Sequence, residues 1–294
     1  MKIYQEIFDD HASMLLARSK KARQEISTSL EEDSALPLTV AAFQMKNSCG
    51  GEEQKKQNLV RMLSAIDLAA EKGVQILTFP EMCLSGYFTP TAGSAQEGKL
   101  ANLELADIVT ESSYLQALQE KALSTQMVLT FGFAEKLADV IYNSIGVIDA
   151  DGSWLGTRRK APLYPWAYEN ESFEEPGTED RSVVFQTKYA TIGVSNCFDG
   201  EFPESIRRMR FAGAEILLWS NAALGNSKLG SSHRINHSGA HAQANNMWVV
   251  CCNCAAENSS GTSLIVSNSG EPLVILPPNE EALALAIGNP GSLE

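Results

Sequence analysis

The spacing of apolar residues along this chain switches back and forth between two periods. From residue 38 onward, short runs that are apolar throughout alternate with longer stretches whose apolar positions recur every three or four residues. The first kind reads as strand and the second as one face of a helix. Residues 38–44 form the first strand pattern. Residues 52–72 then place Leu59, Met62, Leu63, Ile66 and Ala70 on one helical face, and Gly73 follows at its carboxyl end, where a left-handed residue stops the helix. Residues 74–79 are almost wholly apolar, as expected of a strand covered on both faces. A loop runs through Gly98, a single helix is predicted over about 103–124, and strands follow over 127–133, 142–149 and 153–159. The last two are joined by the hairpin turn Ala150-Asp151-Gly152.

The second half repeats the alternation. Paired strands are predicted at 182–186 and 190–195, a helix from Pro203 to Gly213, a strand at 215–219 and a short helix at 237–246. Strands at 248–253, 263–267, 273–276 and 282–287 complete the pattern, and the turn at 267–271 parallels that at 149–153. The layers this implies are an α/β, four-layer α-β-β-α sandwich with an internal pseudo-two-fold, two αββ-type halves packed sheet to sheet. Residues 1–37 stand apart as an amino-terminal helical extension, and 38–294 form the main domain. Ile3, Ile7, Met14 and Leu15 give the extension a thin apolar stripe, suited to docking on the main body or on a partner subunit.

Composition narrows the classes of function. The 294 residues carry a formal net charge of −13 without a basic stripe, which argues against tracking a nucleic-acid backbone. No apolar run is long enough to cross a bilayer. Lys2, Glu6, Asp9 and Asp10 break up any leader-like apolar segment. Six cysteines in a chain of this length do not form a disulfide framework pattern. A cytoplasmic protein is expected, with no nucleic-acid or membrane partner.

Candidate chemistry collects at the ends of predicted strands. Cys197 follows the strand at 190–195 on a sharp turn, Asn196-Cys197-Phe198-Asp199-Gly200-Glu201-Phe202, and Pro203 then suits the first turn of a helix. Open α/β sheets place ligands at the carboxyl ends of their strands. Glu81 follows the strand ending at Phe79, and Lys160 the strand ending near Arg159. Taken singly, each has a plainer reading: a buried thiol, against which polar Asn196, Asp199 and Glu201 argue, a turn-capping carboxylate, and a solvated basic run. Together they supply a nucleophile, a base and a positive clamp.

Phe79-Pro80-Glu81 with Ser85-Gly86-Tyr87, Arg159-Lys160-Ala161-Pro162-Leu163, and Asn196 through Glu204 resemble, in order, the three signature segments of the nitrilase superfamily. Those proteins are carbon–nitrogen hydrolases with a Glu-Lys-Cys triad. The resemblance covers about residues 38–288 and implies the same sandwich. A carboxyl-terminal arm common in the family is expected to be short or absent. The resemblance makes Cys197 the nucleophile, Glu81 the base, and Lys160 with the Phe198 backbone N–H the oxyanion clamp. It also implies a second glutamate on the loop after the lysine, for which Glu169 is preferred and Glu171 is the alternative. Tyr87, Trp166, Phe198 and Asn221 are the candidate substrate-binding residues, with Tyr168 and Phe173 also available to wall a small pocket. No cofactor is implied, and relatives of this fold imply a homodimer or higher homo-oligomer, for which the helix bearing Arg207, Arg208, Met209, Arg210 and Phe211 is the candidate interface.

Asp199-Gly200-Glu201-Phe202-Pro203-Glu204 and Ala244-Asn245-Asn246-Met247-Trp248-Val249 are similar to segments of the aliphatic amidase and formamidase branch. A small neutral amide is therefore the expected substrate, with N-carbamoyl amides second and nitriles third. A catalytically inactive binding or assembly module is the alternative class, and the intact Glu81, Lys160 and Cys197 argue against it. His233, His237 and His241 recur every four residues, with Cys251, Cys252 and Cys254 close behind. The cysteines fall within a strand pattern and no zinc-ribbon or metalloprotease spacing is present, so these are read as buried thiols and no metal site is expected.

Overall fold

The computed structural model describes residues 2–4, 37–86, 95–165, 169–177, 184–223, 230–255 and 262–290. After β1 (Lys2–Tyr4), β2 (Leu38–Gln44) leads through α1 (Glu52–Glu71) to β3 (Ile76–Thr78). Helices α2 (Ala95–Leu105) and α3 (Ser113–Thr125) then return the chain to β4 (Val128–Leu137), and β5 (Val140–Ile148) and β6 (Trp154–Arg159) follow. A single helical turn, α4 (Glu169–Ser172), precedes β7 (Val184–Gln186) and β8 (Thr191–Asn196). A 3-10 turn over Cys197–Glu201 opens into α5 (Pro203–Phe211), then β9 (Ile216–Ser220), α6 (Gly230–Asn245) and β10 (Trp248–Cys252). The chain finishes with β11 (Leu264–Val266), β12 (Pro272–Ile275) and β13 (Ala282–Gly288).

Two mixed sheets result, ordered β1-β13-β2-β3-β4-β5-β6 and β12-β11-β10-β9-β8-β7. In the first, β2, β3 and β4 are parallel and β5 and β6 continue antiparallel. In the second, β8, β9 and β10 are parallel and β11 and β12 continue antiparallel. Each parallel trio is joined by helices on its outer face. The two-fold is thus visible in the strand order, although each half is a β-α-β-α-β unit with an antiparallel tail, fuller than the αββ unit the sequence suggested.

The alternation within β2 explains why four layers form. Val40 and Ala42 belong to an apolar cluster that also contains Val194, Leu218 and Val250 from the opposite sheet. Ala41 and Phe43 face the other way, into a cluster with Met62, Ile66 and Leu118 from α1 and α3. Side chains on a strand alternate between faces, so a strand sandwiched between a sheet and a helix layer must be apolar at nearly every position. Leu217, Trp219 and Val249 repeat this on the far side against Ile206 and Met209 of α5 and Ala242 of α6.

Three expectations are corrected. The helix predicted over 103–124 is two helices, because Ser112 caps a fresh start at α3 by accepting the Leu115 N–H at 3.2 Å. The intervening Asp107 is drawn to buried Lys55, 2.8 Å away. The helix predicted at 237–246 begins earlier, at Gly230. Lys2–Tyr4 forms a strand parallel to β13, not part of a helical extension, since the free edge of β13 offers its backbone a ladder that a thin helical stripe cannot match. The rest of the predicted extension lies outside the described residues.

Candidate active site

The site forms where β3, β5, β6, β8 and β9 end or pass beneath one edge of the sandwich. Glu81 sits in the turn just beyond β3, and the turn lies directly on Gly132 of β4. A Cβ at Gly132 would fall 2.0 Å from the Met82 nitrogen, so only glycine lets this turn settle onto the sheet. The Glu81 carboxylate is buried and fully engaged. Oε1 accepts from Asn143 Nδ2 at 2.7 Å and from Lys160 Nζ at 2.8 Å, and Oε2 accepts the Ala222 N–H at 2.9 Å.

Lys160 follows β6 directly and its ammonium is held between two carboxylates. Besides Glu81, it donates to Glu169 Oε1 at 2.8 Å and Oε2 at 2.9 Å. Burial alone would drive the ammonium to lose its proton, but Glu81, the Cys197 sulfur and Glu169 outweigh it and hold the Lys160 pKa above the usual lysine range. Glu169 is buried in α4 and also accepts from Asn143 Nδ2 at 2.6 Å and the Tyr164 N–H at 2.7 Å. Glu171, the alternative, is exposed. The ammonium fills the space between the carboxylates where a cation would otherwise sit, so this donor set suits an incoming oxyanion and not a metal.

Cys197 opens the 3-10 turn after β8 with φ 51°, in the left-handed region that a residue with a Cβ enters at a cost of about 1 kcal/mol or more. Several contacts hold it there. Asp199 Oδ1 accepts the Asn196 N–H at 2.7 Å and the Ser195 hydroxyl. Arg158 Nη2 lies 2.9 Å from Asp199 Oδ2, near enough to pair in charge, though off the axis of a hydrogen bond. Trp219 Nε1 donates to the Cys197 carbonyl at 2.8 Å, and a Cβ at Gly200 would strike the Trp219 ring at 2.3 Å. Burial first, and Glu81 second, push the Cys197 thiol up to about 12, despite Lys160 and Arg234 pulling it down. The thiol is neutral near neutral pH and needs a base to become a nucleophile.

Asn143 links these parts. While its Nδ2 spans Glu81 and Glu169, its Oδ1 accepts from Asn196 Nδ2 at 2.9 Å, one residue before Cys197. Sequence reasoning passed over Asn143, and it quoted Asp199 only within the turn motif and gave Arg158 no part in the site. The available signal was an asparagine inside an apolar strand pattern, and such a group, once buried, needs partners.

The candidate substrate-binding residues fare differently. The Phe198 ring meets Tyr164 and Phe202 edge-on, each with centroids 5.3 Å apart, forming an aromatic wall beside the turn. Phe173 packs in a separate small core with Met82 and Leu163. Asn221 is buried and donates to the Trp219 carbonyl at 2.9 Å, and its Oδ1 meets no donor among the described residues. It shapes the turn that presents the Ala222 N–H to Glu81. Tyr87, Trp166 and Tyr168 lie outside the described residues.

Known proteins resemble this chain in both sequence and fold. The family described as carbon-nitrogen hydrolase matches residues 39–289. A citrullinase of Francisella tularensis is 31% identical over 234 residues, covering 75% of this chain and 79% of that enzyme. The N-carbamoylputrescine amidase of Solanum tuberosum is 33% identical over 187 residues, 63% of this chain, which spans only 58% of the plant protein. Among solved structures, Saccharomyces cerevisiae Nit3, a member of branch 10 of the nitrilase superfamily, superposes with a TM-score of 0.73 at 22% identity, covering 89% of this chain and 93% of that one. A carbon-nitrogen hydrolase from Helicobacter pylori shares the fold equally well, with a TM-score of 0.73. The match over nearly all of the main domain and the citrullinase likeness agree: the chain belongs to the carbon–nitrogen hydrolase family, and its fold is the one seen in solved members of the nitrilase superfamily.

Proposed function

We propose that the chain hydrolyses the C–N bond of a terminal carboxamide through a thioester on Cys197, releasing ammonia. The observation that carries this reading is the buried Lys160 ammonium, held at 2.8 Å by both Glu81 and Glu169 and close enough to the Cys197 sulfur for each to shift the other's proton affinity. Glu81 accepts the thiol proton as Sγ attacks the carbonyl carbon. Lys160 Nζ and the Phe198 N–H receive the oxyanion of the tetrahedral adduct. A preorganised donor of this kind stabilises the transition state by about 3 kcal/mol. Collapse breaks the C–N bond, and Glu81 returns its proton to the departing ammonia. Glu81 then takes a proton from water as it attacks the thioester, and the acid leaves as the thiol is restored. Glu169 keeps the ammonium charged and oriented throughout.

A small neutral aliphatic amide is the first substrate class, on the strength of the turn Asp199-Gly200-Glu201-Phe202-Pro203-Glu204 and the absence of a basic residue between Phe198 and Ile206. A ureide is the second, favoured by relatives named for citrulline and N-carbamoylputrescine. There, ammonia leaves a thiocarbamate on Cys197, and its hydrolysis gives a carbamic acid that decomposes to carbon dioxide and an amine. Ammonia release from acetamide, propionamide, citrulline, N-carbamoylputrescine and a short nitrile decides among them. Turnover of the simple amides supports the first class, and turnover confined to the ureides replaces it with the second. Activity on the nitrile alone overturns both while sparing the Cys197 chemistry.

A homodimer or larger homo-oligomer built on α5 belongs to the same reading, because Phe211 on that helix is 82% exposed beside three arginines. Light scattering at micromolar concentration tests it, and a monomer there removes it. A cytoplasmic location is part of this proposal, and fractionation of source cells tests it.

A further inference from the structure

His233 and His237 lie one turn apart on α6, so their rings stack on one face with centroids 4.1 Å apart. Both address the same oxygen. Glu201 Oε2 is 2.7 Å from His233 Nε2 and 3.0 Å from His237 Nδ1, and the three atoms all lie within 4.8 Å of one another. The other carboxylate oxygen, Oε1, is held by Arg234 Nη1 at 2.6 Å, and that guanidinium stacks on Trp219 with its carbon 4.7 Å from the ring centroid. The carboxylate is thus oriented by one oxygen and offered to the imidazoles by the other, as ligating carboxylates usually are. A groove of about 520 Å³ lined by Glu204, Arg207, His237 and His241 reaches the cluster from outside.

We propose that Glu201, His233 and His237 bind a divalent transition metal of the zinc class, with water completing a four-coordinate site. Two imidazoles and one carboxylate oxygen are the donor set that zinc favours. The Arg234 charge on the same carboxylate weakens purely ionic attraction, which selects against hard magnesium and calcium ions and for metals that gain from nitrogen ligands. Zinc bonds of about 2.0–2.1 Å need ligand atoms spread slightly wider than now, and the exposed His233 and half-buried His237 can move that far. The sequence paired these histidines with Cys251, Cys252 and Cys254, but the partner that the fold supplies is Glu201, from the turn that begins at Cys197.

That partner gives the site a consequence. Glu201 closes the 3-10 turn opened by Cys197, and His241 Nε2 already meets the Gly200 carbonyl at 2.9 Å. A bound metal reinforces the tie that Arg234 already makes between α6 and the end of the nucleophile's turn. The test is calorimetric titration of zinc into the full chain carrying Cys197→Ala, so that the nucleophilic thiol cannot contribute, alongside the same chain with His233→Ala and His237→Ala added. One equivalent of zinc, a raised melting temperature, no response to magnesium, and at least about tenfold weaker binding in the histidine variant support the site. Binding that survives the histidine substitutions, or no binding in the parent, overturns it. Cobalt(II) gives an independent reading, because tetrahedral coordination produces strong visible bands that the histidine variant must lose.

Discussion

Two acid–base clusters flank the turn that carries Cys197, and they use similar residues to opposite effect. On one side, Glu81, Lys160 and Glu169 are buried, with Lys160 and Glu81 each 1% exposed at the side chain. On the other, Glu201 and Arg234 pair beneath His233 and His237, which are 44% and 35% exposed. Burial decides what each can do. In the closed cluster every charge depends on its partners, because an uncompensated buried ion costs several kcal/mol. There the geometry is fixed, and the Lys160 ammonium holds its proton more tightly than an ordinary lysine. In the open cluster, water screens the charges and the imidazoles can exchange hydrogen bonds for another ligand. On the proposed reading, one side serves chemistry on a fixed framework and the other reversible occupancy.

The sharpest way to break the contrast is to disable the closed side. Cys197→Ala is expected to reduce ammonia release to background while leaving the circular dichroism spectrum unchanged, since the side chain is small and its turn is held by Asp199 and Trp219 and not by the thiol. Lys160→Ala is expected to lower kcat about 100-fold to 1,000-fold, the usual effect of losing an oxyanion donor. Turnover near that of the parent in either variant contradicts the mechanism.

Asn143→Ala comes next. It leaves Glu81, Glu169 and Asn196 each short of a partner, and buried groups left unsatisfied cost about 1–3 kcal/mol. A urea midpoint that does not fall shows that water replaces the amide. Alkaline stability is a subtler readout. The Cys83 and Cys197 thiols both stand near 12 in the folded chain, against an ordinary 9.0, with burial the main cause. A raised pKa keeps the proton on the folded chain while the unfolded chain loses it. Their contribution is therefore whole below pH 9 and declines as the pH climbs toward 12, and Lys160, also raised, acts in the same direction. The urea midpoint is expected to drop across that window, less steeply in Cys197→Ala. The smallest effect belongs to the open side, where His233→Ala in chelator-treated protein is expected to change stability by no more than about 0.5 kcal/mol.

The alternation of apolar positions carried the layers and the strand ends, and with them the placing of Glu81, Lys160 and Cys197. Those features are local: a strand, a turn and a residue type within a dozen positions. What could not be read is nonlocal. The Ala222 N–H reaches Glu81 across 141 positions, and Asn143 meets Asn196 across 53. No periodicity encodes such meetings, which arise only when two sheets face each other. The broken helix at Ala106–Glu111 is the same lesson at shorter range, since Lys55 on α1 decides where α2 ends by binding the Leu105 carbonyl and Asp107 at 2.8 Å each. The sequence placed Glu201 only within the turn after Cys197, and the fold is what brings the two imidazoles of α6 to it.

The asparagine that joins Glu81, Glu169 and Asn196 has a kinetic corollary. It fastens strand ends from both sheets to one side chain, so no one of them can open while the others stay closed. Local fluctuations usually let solvent reach the backbone around reactive sites long before the whole chain unravels. Here the amide protons of β5, β8 and the residues bridging them are bound to exchange with deuterium at the rate of global opening, as a single block. The proposed reactive centre would then be among the slowest of the described residues to exchange.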